Sequence, residues 1–137
     1  MKMSIGQWCV NRLSIDRKEV QIGEALPEGK FSLDIKNSFD IENKRFFVCF
    51  DLTLNDPRYD LFTEVIYPFN VIDGGIDETF IASHFPRVNA PAIAFPYLRA
   101  MISNITLQAG LKPVMLPSIN FAEAKENVPI EEKSESK

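Results

Sequence analysis

An alternation of apolar and polar side chains from Phe46 to Asn55 constrains the fold more than any other feature of this sequence. Five apolar side chains fall on one side of an extended chain: Phe46, Val48, Phe50, Leu52 and Leu54. Successive side chains of a β-strand point to opposite faces of a sheet, so a period of two is typical of a strand with one buried face. We therefore predict a strand here, one face of which packs on a hydrophobic core.

Further extended segments occur on both sides of this strand. Alternation from Phe31 to Lys36 predicts a second strand, joined to the first by a turn at Glu42-Asn43-Lys44. Residues 61–72 predict another strand, in which Pro68 requires a bulge or an edge position because proline has no backbone N–H to donate. A more ragged extended stretch covers residues 8–22. These segments together predict three or four antiparallel strands with one apolar face.

One long helix is predicted from Pro91 to Ala109. Asn89 is a suitable N-cap, Gly110 suits the C-terminal cap, and Pro113 prevents the helix from continuing. Apolar side chains cover one stripe of this helix and part of a second face. A helix with more than one apolar face lies either deep in a core or at a subunit interface. The candidates for an interface between copies of the chain are Leu98, Met101, Ile102, Ile105 and Leu107.

The entrance of this helix, Phe95-Pro96-Tyr97, places a proline between two aromatic rings. Proline is tolerated in a helix only near its start, because it removes a backbone donor and clashes with the carbonyl four residues earlier. The two rings could pack in the core, or they could form a surface that meets another molecule. Strands followed by one long helix indicate the α+β class.

Composition excludes several classes of protein. The 137 residues suggest one domain, and a net charge of −4 without a basic block argues against a nucleic-acid surface. The N-terminus has no apolar stretch of signal-peptide length, and no segment has the apolar length needed to insert into a membrane. Cys9 and Cys49 lie far apart, which fits a reducing cytoplasm better than a disulfide framework. The glutamate-rich segment 122–137 predicts a flexible acidic tail after a domain that spans 1–121.

The residue types that carry catalysis are sparse. His84 is the only histidine, so a histidine pair cannot bind zinc, and the two cysteines lack the spacing of a metal site. The chain has no nucleophile elbow and no glycine-rich phosphate loop, and Asp73-Gly74-Gly75 is more typical of a turn. We therefore expect no enzyme activity, no metal and no cofactor.

Several widely spaced motifs of the second half occur in a recognisable order. They are Phe95-Pro96-Tyr97-x-Arg99, then Gly110, then Leu116-x-x-Ile119-Asn120-Phe121, with Phe62-Thr63-Glu64-Val65 upstream. This series resembles the SecB family of export chaperones, whose helix begins with "FPYAR" and whose connector closes with "P-[VI]-N-F". The resemblance covers residues 31–121. Ser118 stands where the family has the closing proline, Leu98 and Ala100 replace an alanine and a glutamate, and the second helix of the family is shortened here.

The resemblance implies a four-stranded antiparallel sheet with the long helix on one face. It also implies a homo-oligomer, a tetramer built as a dimer of dimers, in which sheet edges pair and the long helices lie at the centre. Proteins of this family hold unfolded polypeptides in apolar grooves and deliver them to the SecA motor without ATP, metal or a covalent step. The expected location is the cytoplasm.

The same resemblance suggests which residues bind these partners. For unfolded polypeptides we expect exposed sheet positions, the helix entrance and the segment after the helix: Phe69, Val71, Phe95, Tyr97, Leu116, Ile119 and Phe121. For SecA the matching positions are Glu19, Phe62 and Glu64, whereas a third acidic position of the family is Gly23 here. Docking to SecA should therefore be weaker than the family pattern implies.

Three functions remain open at this point. The first is a general chaperone of proteins awaiting export. The second is a SecB-like chaperone dedicated to one partner, such as the antitoxin of a toxin–antitoxin pair. The third is a small-ligand-binding domain or enzyme on an α+β scaffold, which only His84 and the aromatic content support.

Overall fold

The structure, a computed structural model, describes residues 2–20, 23, 26 and 28–122. The strands are β1 Met3–Ile5, β2 Cys9–Arg17, β3 Lys30–Asp40, β4 Arg45–Asp56 and β5 Tyr59–Val71. The helices are α1 Glu78–Ala82 and α2 Ala90–Gln108, with a π-helical turn at Phe85–Asn89 between them. Apart from Ala122, the predicted acidic tail lies outside the described residues. The α+β class is confirmed.

The five strands form one antiparallel sheet. Its order is β1–β5–β4–β3, and β2 pairs with β5 on the same side as β1. The hairpin between β3 and β4 turns at residues 41–44, where Lys44 takes a positive φ of 54°. The sheet therefore has one strand more than the four expected, because Met3–Ile5, upstream of the ragged stretch predicted from residue 8, forms an additional short strand that pairs with β5.

The division between β1 and β2 lies opposite Pro68. Ile5 is paired with Phe69 and Cys9 with Ile66, so three residues, 6–8, stand opposite two, 67 and 68. Proline cannot donate to a neighbouring strand, and the backbone N–H of Gly6 donates to the carbonyl of Pro68 at 2.8 Å. The bulge predicted in the strand that contains Pro68 is not seen, since β5 keeps one register with β4, and the irregularity is the break between β1 and β2 that faces the proline. The edge position is wrong, since β5 lies between β4 and the N-terminal strands.

The two faces of the sheet differ as the alternation predicts. The five apolar side chains of β4 between Phe46 and Leu54 are buried, and their neighbours on the other face are only partly covered or exposed. The same holds for β5, where every second residue from Tyr59 to Val71 is buried. The core therefore lies between this inner face and α2, and the outer face is open to solvent.

Helix α2 begins differently from the prediction, whereas the predicted C-terminal cap at Gly110 is confirmed. The π-helical turn runs directly into it, so Asn89 already has helical dihedral angles and its side chain caps nothing. Pro96 lies inside the helix, six residues after its first residue. At the other end Gly110 takes a φ of 80°, and Nη2 of Arg17 donates to the carbonyl of Ala109 at 3.0 Å. This bond fixes the end of the helix beside the end of β2.

The apolar stripe of α2 packs on the sheet of its own protomer. Leu98 and Ile102 are wholly buried, and Met101 and Ile105 pack against the same core while remaining partly exposed. Leu98 and Ile102 therefore leave no surface for a second copy, which corrects their assignment to an interface. Only Leu107, 57% exposed, is largely available on the other side of the helix.

Candidate functional site

Residues 111–121, which we call the connector, are tied to one side of α2. Nε of Arg99 donates to the carbonyl O of Leu116 at 3.0 Å. The backbone N–H of Val114 donates to Oγ1 of Thr106, also at 3.0 Å. Positions 99 and 106 are seven residues apart, so both side chains project from the same side of the helix. The connector is therefore held along the helix at two points.

Two clefts share Met115 and Leu116 of the connector. One, of about 520 Å³, lies between the connector and α2, and its lining comprises Pro96, Arg99, Ala100, Ser103, Asn104, Leu107, Pro113, Met115 and Leu116. The other, of about 270 Å³, lies between the connector and the ends of β3 and β4, with Phe31, Leu54 and Tyr59 in its wall. Apolar clefts of a few hundred Å³ can enclose a few side chains of a peptide. Met115 is 75% exposed, and its flexible thioether suits a surface that adapts to varied partners.

Aromatic rings form the floor beneath the connector. The rings of Phe95 and Phe121 lie 5.6 Å apart and edge to face, and both approach Phe50 of β4 at 6.0 and 6.4 Å. Such aromatic pairs add about 0.5–1.5 kcal/mol each to the stabilisation from burial. Phe121 therefore anchors the far end of the connector to the core.

The structure separates the predicted polypeptide-binding residues into groups. Phe69 and Val71 point to the inner face and are buried, so the expectation that they are exposed on the sheet is wrong. Their burial follows from the phase of β5, in which odd-numbered residues face α2. Phe95, Leu116 and Phe121 are also buried and support the clefts from below. Tyr97 is exposed and Ile119 is partly buried, so these two have surface for a partner.

Trp8 is a surface residue that sequence reasoning missed. Its ring lies 4.5 Å from the ring of Tyr97 on α2 and 5.5 Å from that of Tyr67 on β5. Trp8 is the only tryptophan of the chain, but the sequence assigns it simply to the start of a ragged strand. On the neighbouring β2, Val10 and Leu13 are 42% and 43% exposed. An apolar surface therefore continues from the helix entrance onto the edge of the sheet.

The outer face of the sheet carries the acidic positions expected to dock SecA. Phe62 and Glu64 lie there on β5, and Oε1 of Glu64 accepts a hydrogen bond from Nδ2 of Asn11 at 3.1 Å. The guanidinium of Arg12 lies 5.2 Å from the centre of the Phe62 ring. Glu19 is exposed but lies beyond the end of β2, seven residues past Arg12, which is paired with Glu64. At about 3.3 Å per residue this is roughly 20 Å along the strand direction, so the structure does not bring the two glutamates together.

Beside Glu64 lie the only three side chains of the described residues that converge as metal ligands do. Ligand atoms of Cys49, Asp51 and Glu64 fall within 4.8 Å of one another. Burial, followed by the charges of Asp51 and Glu64, raises the pKa of the Cys49 thiol to about 12. Nζ of Lys36 lies 3.0 Å from Oδ2 of Asp51, and this hydrogen bond raises the pKa of the lysine. A metal would have to displace the ammonium and deprotonate the thiol, so the group is better suited to an acidic surface than to a metal centre.

The exposed side of α2 is apolar and nearly uncharged. Arg99 is the only charged residue of the helix, and it points toward the connector. Ile93, Tyr97 and Leu107 are all exposed. These three side chains are spaced by four and ten residues, so they project from one broad face of the helix. A face of this kind is typical of a protein–protein contact.

Two further observations concern the remaining surface. His84 is exposed and borders a small cavity of about 200 Å³ together with Arg87 and Phe121. Within the part of the chain that the structure describes, none of the helices is both long and apolar enough to cross a membrane.

Comparison with known proteins agrees with this architecture. A family model described as "Preprotein translocase subunit SecB" matches residues 3–125. The protein-export protein SecB of Magnetococcus marinus is 30% identical over 104 residues, which is 72% of this chain and 64% of that protein. An uncharacterized protein of Methanocaldococcus jannaschii is 45% identical over 60 residues, which is 44% of this chain and 37% of that protein. The matches thus span less than two thirds of the length of these relatives.

Solved structures show the same fold. A SecB-like chaperone of Mycobacterium tuberculosis, solved in complex with a ChAD peptide from an antitoxin, superimposes with a TM-score of 0.67 at 15% identity. The match covers 85% of this chain and 90% of that chain. Together with the family model, which spans most of the sequence, the shared fold establishes the family. The chain belongs to the SecB family.

Proposed function

We propose that this protein is a chaperone that holds unfolded polypeptides without ATP, and that it binds them in the two clefts along the connector. Membership of the SecB family supports a chaperone role. The main evidence for this binding site is the position of the connector. It is hydrogen-bonded to α2 through Arg99 and Thr106, and it borders two apolar clefts that share Met115 and Leu116.

The clefts suit extended chains better than folded ones. In an extended segment alternate side chains point the same way, so successive apolar residues can enter neighbouring pockets. Full burial of one large apolar side chain is worth about 1.5–3 kcal/mol, and part of this is lost to the ordering of the segment. Tight holding therefore requires several contacts at once, along one protomer and across several.

A direct test measures whether the purified protein suppresses aggregation of a reduced, unfolded substrate in the absence of nucleotide. Met115→Glu should weaken this suppression, because it places a charge between the two clefts. Ser118→Glu adds the same charge at an exposed connector position that lines neither cleft, and it should act as the wild type does. If both variants are equally active, the clefts are not the binding site. If the wild type has no effect at a stoichiometric ratio, the holding function itself is wrong.

We also propose that the protein works as a homo-oligomer, with a tetramer as the expected form. Support comes from two exposed apolar surfaces of the protomer. One is the nearly uncharged outer side of α2, and the other is the edge strand β2, on which Val10 and Leu13 are exposed and whose side away from β5 pairs with no strand of the described residues. An edge strand presents unpaired backbone groups and readily pairs with another chain. Assembly of copies would cover both surfaces.

Delivery to SecA is proposed for the outer face of the sheet. Phe62, Glu64 and the neighbouring Asp51 provide an apolar and acidic surface for a basic partner. Exposed carboxylates act mainly on the association rate, and salt weakens their effect. Glu64→Lys should therefore reduce binding of purified SecA at low salt, whereas Glu42→Lys in the β3–β4 turn serves as the charge-matched control. Unchanged binding by Glu64→Lys would contradict delivery through this face.

A chaperone dedicated to one partner is the second candidate. The fold match to a chaperone solved with an antitoxin peptide favours it. In that case the protein, isolated from its own cells, should carry one dominant polypeptide in the clefts. A broad mixture of bound polypeptides would instead favour the general chaperone.

A further inference from the structure

Met115 lies between the two residues by which the connector is bound to α2. Before it, the N–H of Val114 donates to Thr106, and after it, the carbonyl O of Leu116 accepts from Arg99. Both bonds involve the backbone of the connector, so the main chain is fixed on each side of Met115. The Met115 side chain therefore starts from a fixed point, at the border that the two clefts share.

A third side chain of α2 reaches the sulfur of Met115. Oγ of Ser103 donates a hydrogen bond to Sδ of Met115 at 3.5 Å. Positions 99, 103 and 106 are spaced by four and three residues, so Ser103 projects from the same side of the helix as the two residues that bind the connector backbone. A thioether is only a weak acceptor, so this bond adds little to the attachment of the connector. The same hydroxyl would bind much more strongly to a sulfur that carries an oxygen atom.

Met115 is also the most exposed methionine of the part of the chain that the structure describes. It is 75% exposed, whereas Met3 and Met101 are partly buried against the core. A two-electron oxidant such as hydrogen peroxide converts methionine to methionine sulfoxide, which is polar where the thioether is apolar. An oxidant in the solvent therefore reaches Met115 more readily than the other two.

The reaction with peroxide adds one oxygen atom to Sδ. A lone pair of the sulfur attacks one peroxide oxygen, an S–O bond forms, and the O–O bond breaks. The sulfur loses two electrons, while the second oxygen takes up the proton of the first and leaves as water. The new sulfoxide oxygen is an acceptor for the Ser103 hydroxyl, and Asn104, which lines the same cleft, carries further donors in its amide group.

We propose that Met115 is an oxidation-sensitive site, at which conversion of the thioether to the sulfoxide weakens the binding of polypeptides. This inference rests on the proposed function, because it assigns a form of regulation to the same two clefts. Ser103 binds the sulfoxide oxygen and keeps it in the cleft beside α2, where an apolar side chain of the bound polypeptide would lie. Burying a polar group against an apolar one is unfavourable, so the affinity for polypeptides should fall about five- to tenfold. Enzymatic reduction of the sulfoxide restores the thioether and makes the change reversible.

Peroxide treatment of the full-length protein tests the proposal. The background Cys9→Ser/Cys49→Ser removes the thiols that peroxide also oxidises. Mass spectrometry of peptides measures the sulfoxide at each methionine, and the peroxide is removed before the aggregation assay. Oxidation of Met115 should raise the protein concentration needed for half-maximal suppression about five- to tenfold, and methionine sulfoxide reductase with a thiol reductant should reverse this. Unchanged suppression by protein that carries the sulfoxide at Met115, or oxidation of Met101 ahead of Met115, would overturn the proposal.

Substitutions at two methionines assign the effect to one sulfur. For Met115→Leu, the ratio of suppression before and after peroxide should be close to one, because leucine has no sulfur to oxidise. Met101→Leu is the matched control on α2 and should keep the sensitivity. Met115→Gln places a polar amide where the sulfoxide would be, so it should weaken suppression without any peroxide. Sensitivity that persists in Met115→Leu would contradict the assignment.

Ser103→Ala separates the part of the hydroxyl from that of the sulfur. This variant should form the same sulfoxide but lose a smaller share of its suppression, because the oxygen is no longer held in the cleft and turns to solvent. Equal losses in Ser103→Ala and in the parent protein would refute the part assigned to Ser103. A parent protein that suppresses no aggregation before oxidation refutes the proposed function and this inference with it. Normal suppression that oxidation of Met115 leaves unchanged refutes the inference alone.

Discussion

Leu107 provides the sharpest test of the proposed contact through α2. Its side chain is 57% exposed on the uncharged side of the helix, so replacement by glutamate removes almost nothing from the protomer core. Full burial of a leucine is worth about 1.5–3 kcal/mol, and burying the exposed 57% in an interface is therefore worth about 0.9–1.7 kcal/mol. An unpaired carboxylate in the same place adds a desolvation cost above the roughly 1–3 kcal/mol of a neutral polar group. Leu107→Glu should thus weaken the contact by at least about 2 kcal/mol per copy.

Stability of the protomer should change much less. Exposed substitutions usually alter the free energy of unfolding by about 0.5 kcal/mol or less. A negative charge in the last turn of α2 adds about 0.3–1 kcal/mol through its unfavourable interaction with the helix dipole. Gln108→Glu is the matched control, because it places the same charge in the same turn, one residue further around the helix. The two variants should therefore have similar urea unfolding curves and differ in assembly.

Sedimentation velocity at micromolar concentrations gives the deciding measurement. A cost of 2 kcal/mol corresponds to about a thirtyfold change in the dissociation constant, so Leu107→Glu should shift the population to smaller species, while Gln108→Glu stays close to the wild type. If Leu107→Glu assembles as the wild type does, the exposed side of α2 is not an interface. A wild type that remains monomeric would refute the oligomer as a whole.

Two further predictions concern the connector and the outer face. Thr106→Val should lower the free energy of unfolding by about 1–3 kcal/mol in urea titration, because it leaves the partly buried Val114 N–H without its acceptor. An unchanged midpoint would mean that the connector is not held there. Cys49 should react slowly with thiol reagents at pH 8, since a pKa raised to about 12 leaves roughly one thiolate in ten thousand, and its rate should increase as pH rises towards that value. The variant Cys49→Ser, which retains only the exposed Cys9, provides the comparison, and faster reaction of Cys49 than of Cys9 would contradict the assignment.

The sequence alone determined the features that depend on local spacing. The alternation over Phe31–Lys36 and Phe46–Asn55 indicates strands with one buried face, because side-chain direction in an extended chain repeats every two residues. The long helix and the turn predicted at Glu42-Asn43-Lys44, observed at 41–44, follow from equally local patterns. The motif around Phe95 and Phe121 identifies the family, since these residues form a packed floor whose spacing the fold requires.

Only the tertiary structure decided which surfaces remain available for partners. Phe69 and Leu98 are apolar in the same way as Met115 and Leu107, but the first two are buried between sheet and helix while the other two are exposed. The bonds of α2 to the connector, among them the one from Ser103 to the sulfur of Met115, join residues that local patterns do not relate. An apolar side chain tends to be buried in some environment. Whether its own protomer buries it or leaves it for a partner depends on which element packs above it, and that is a property of the folded chain as a whole.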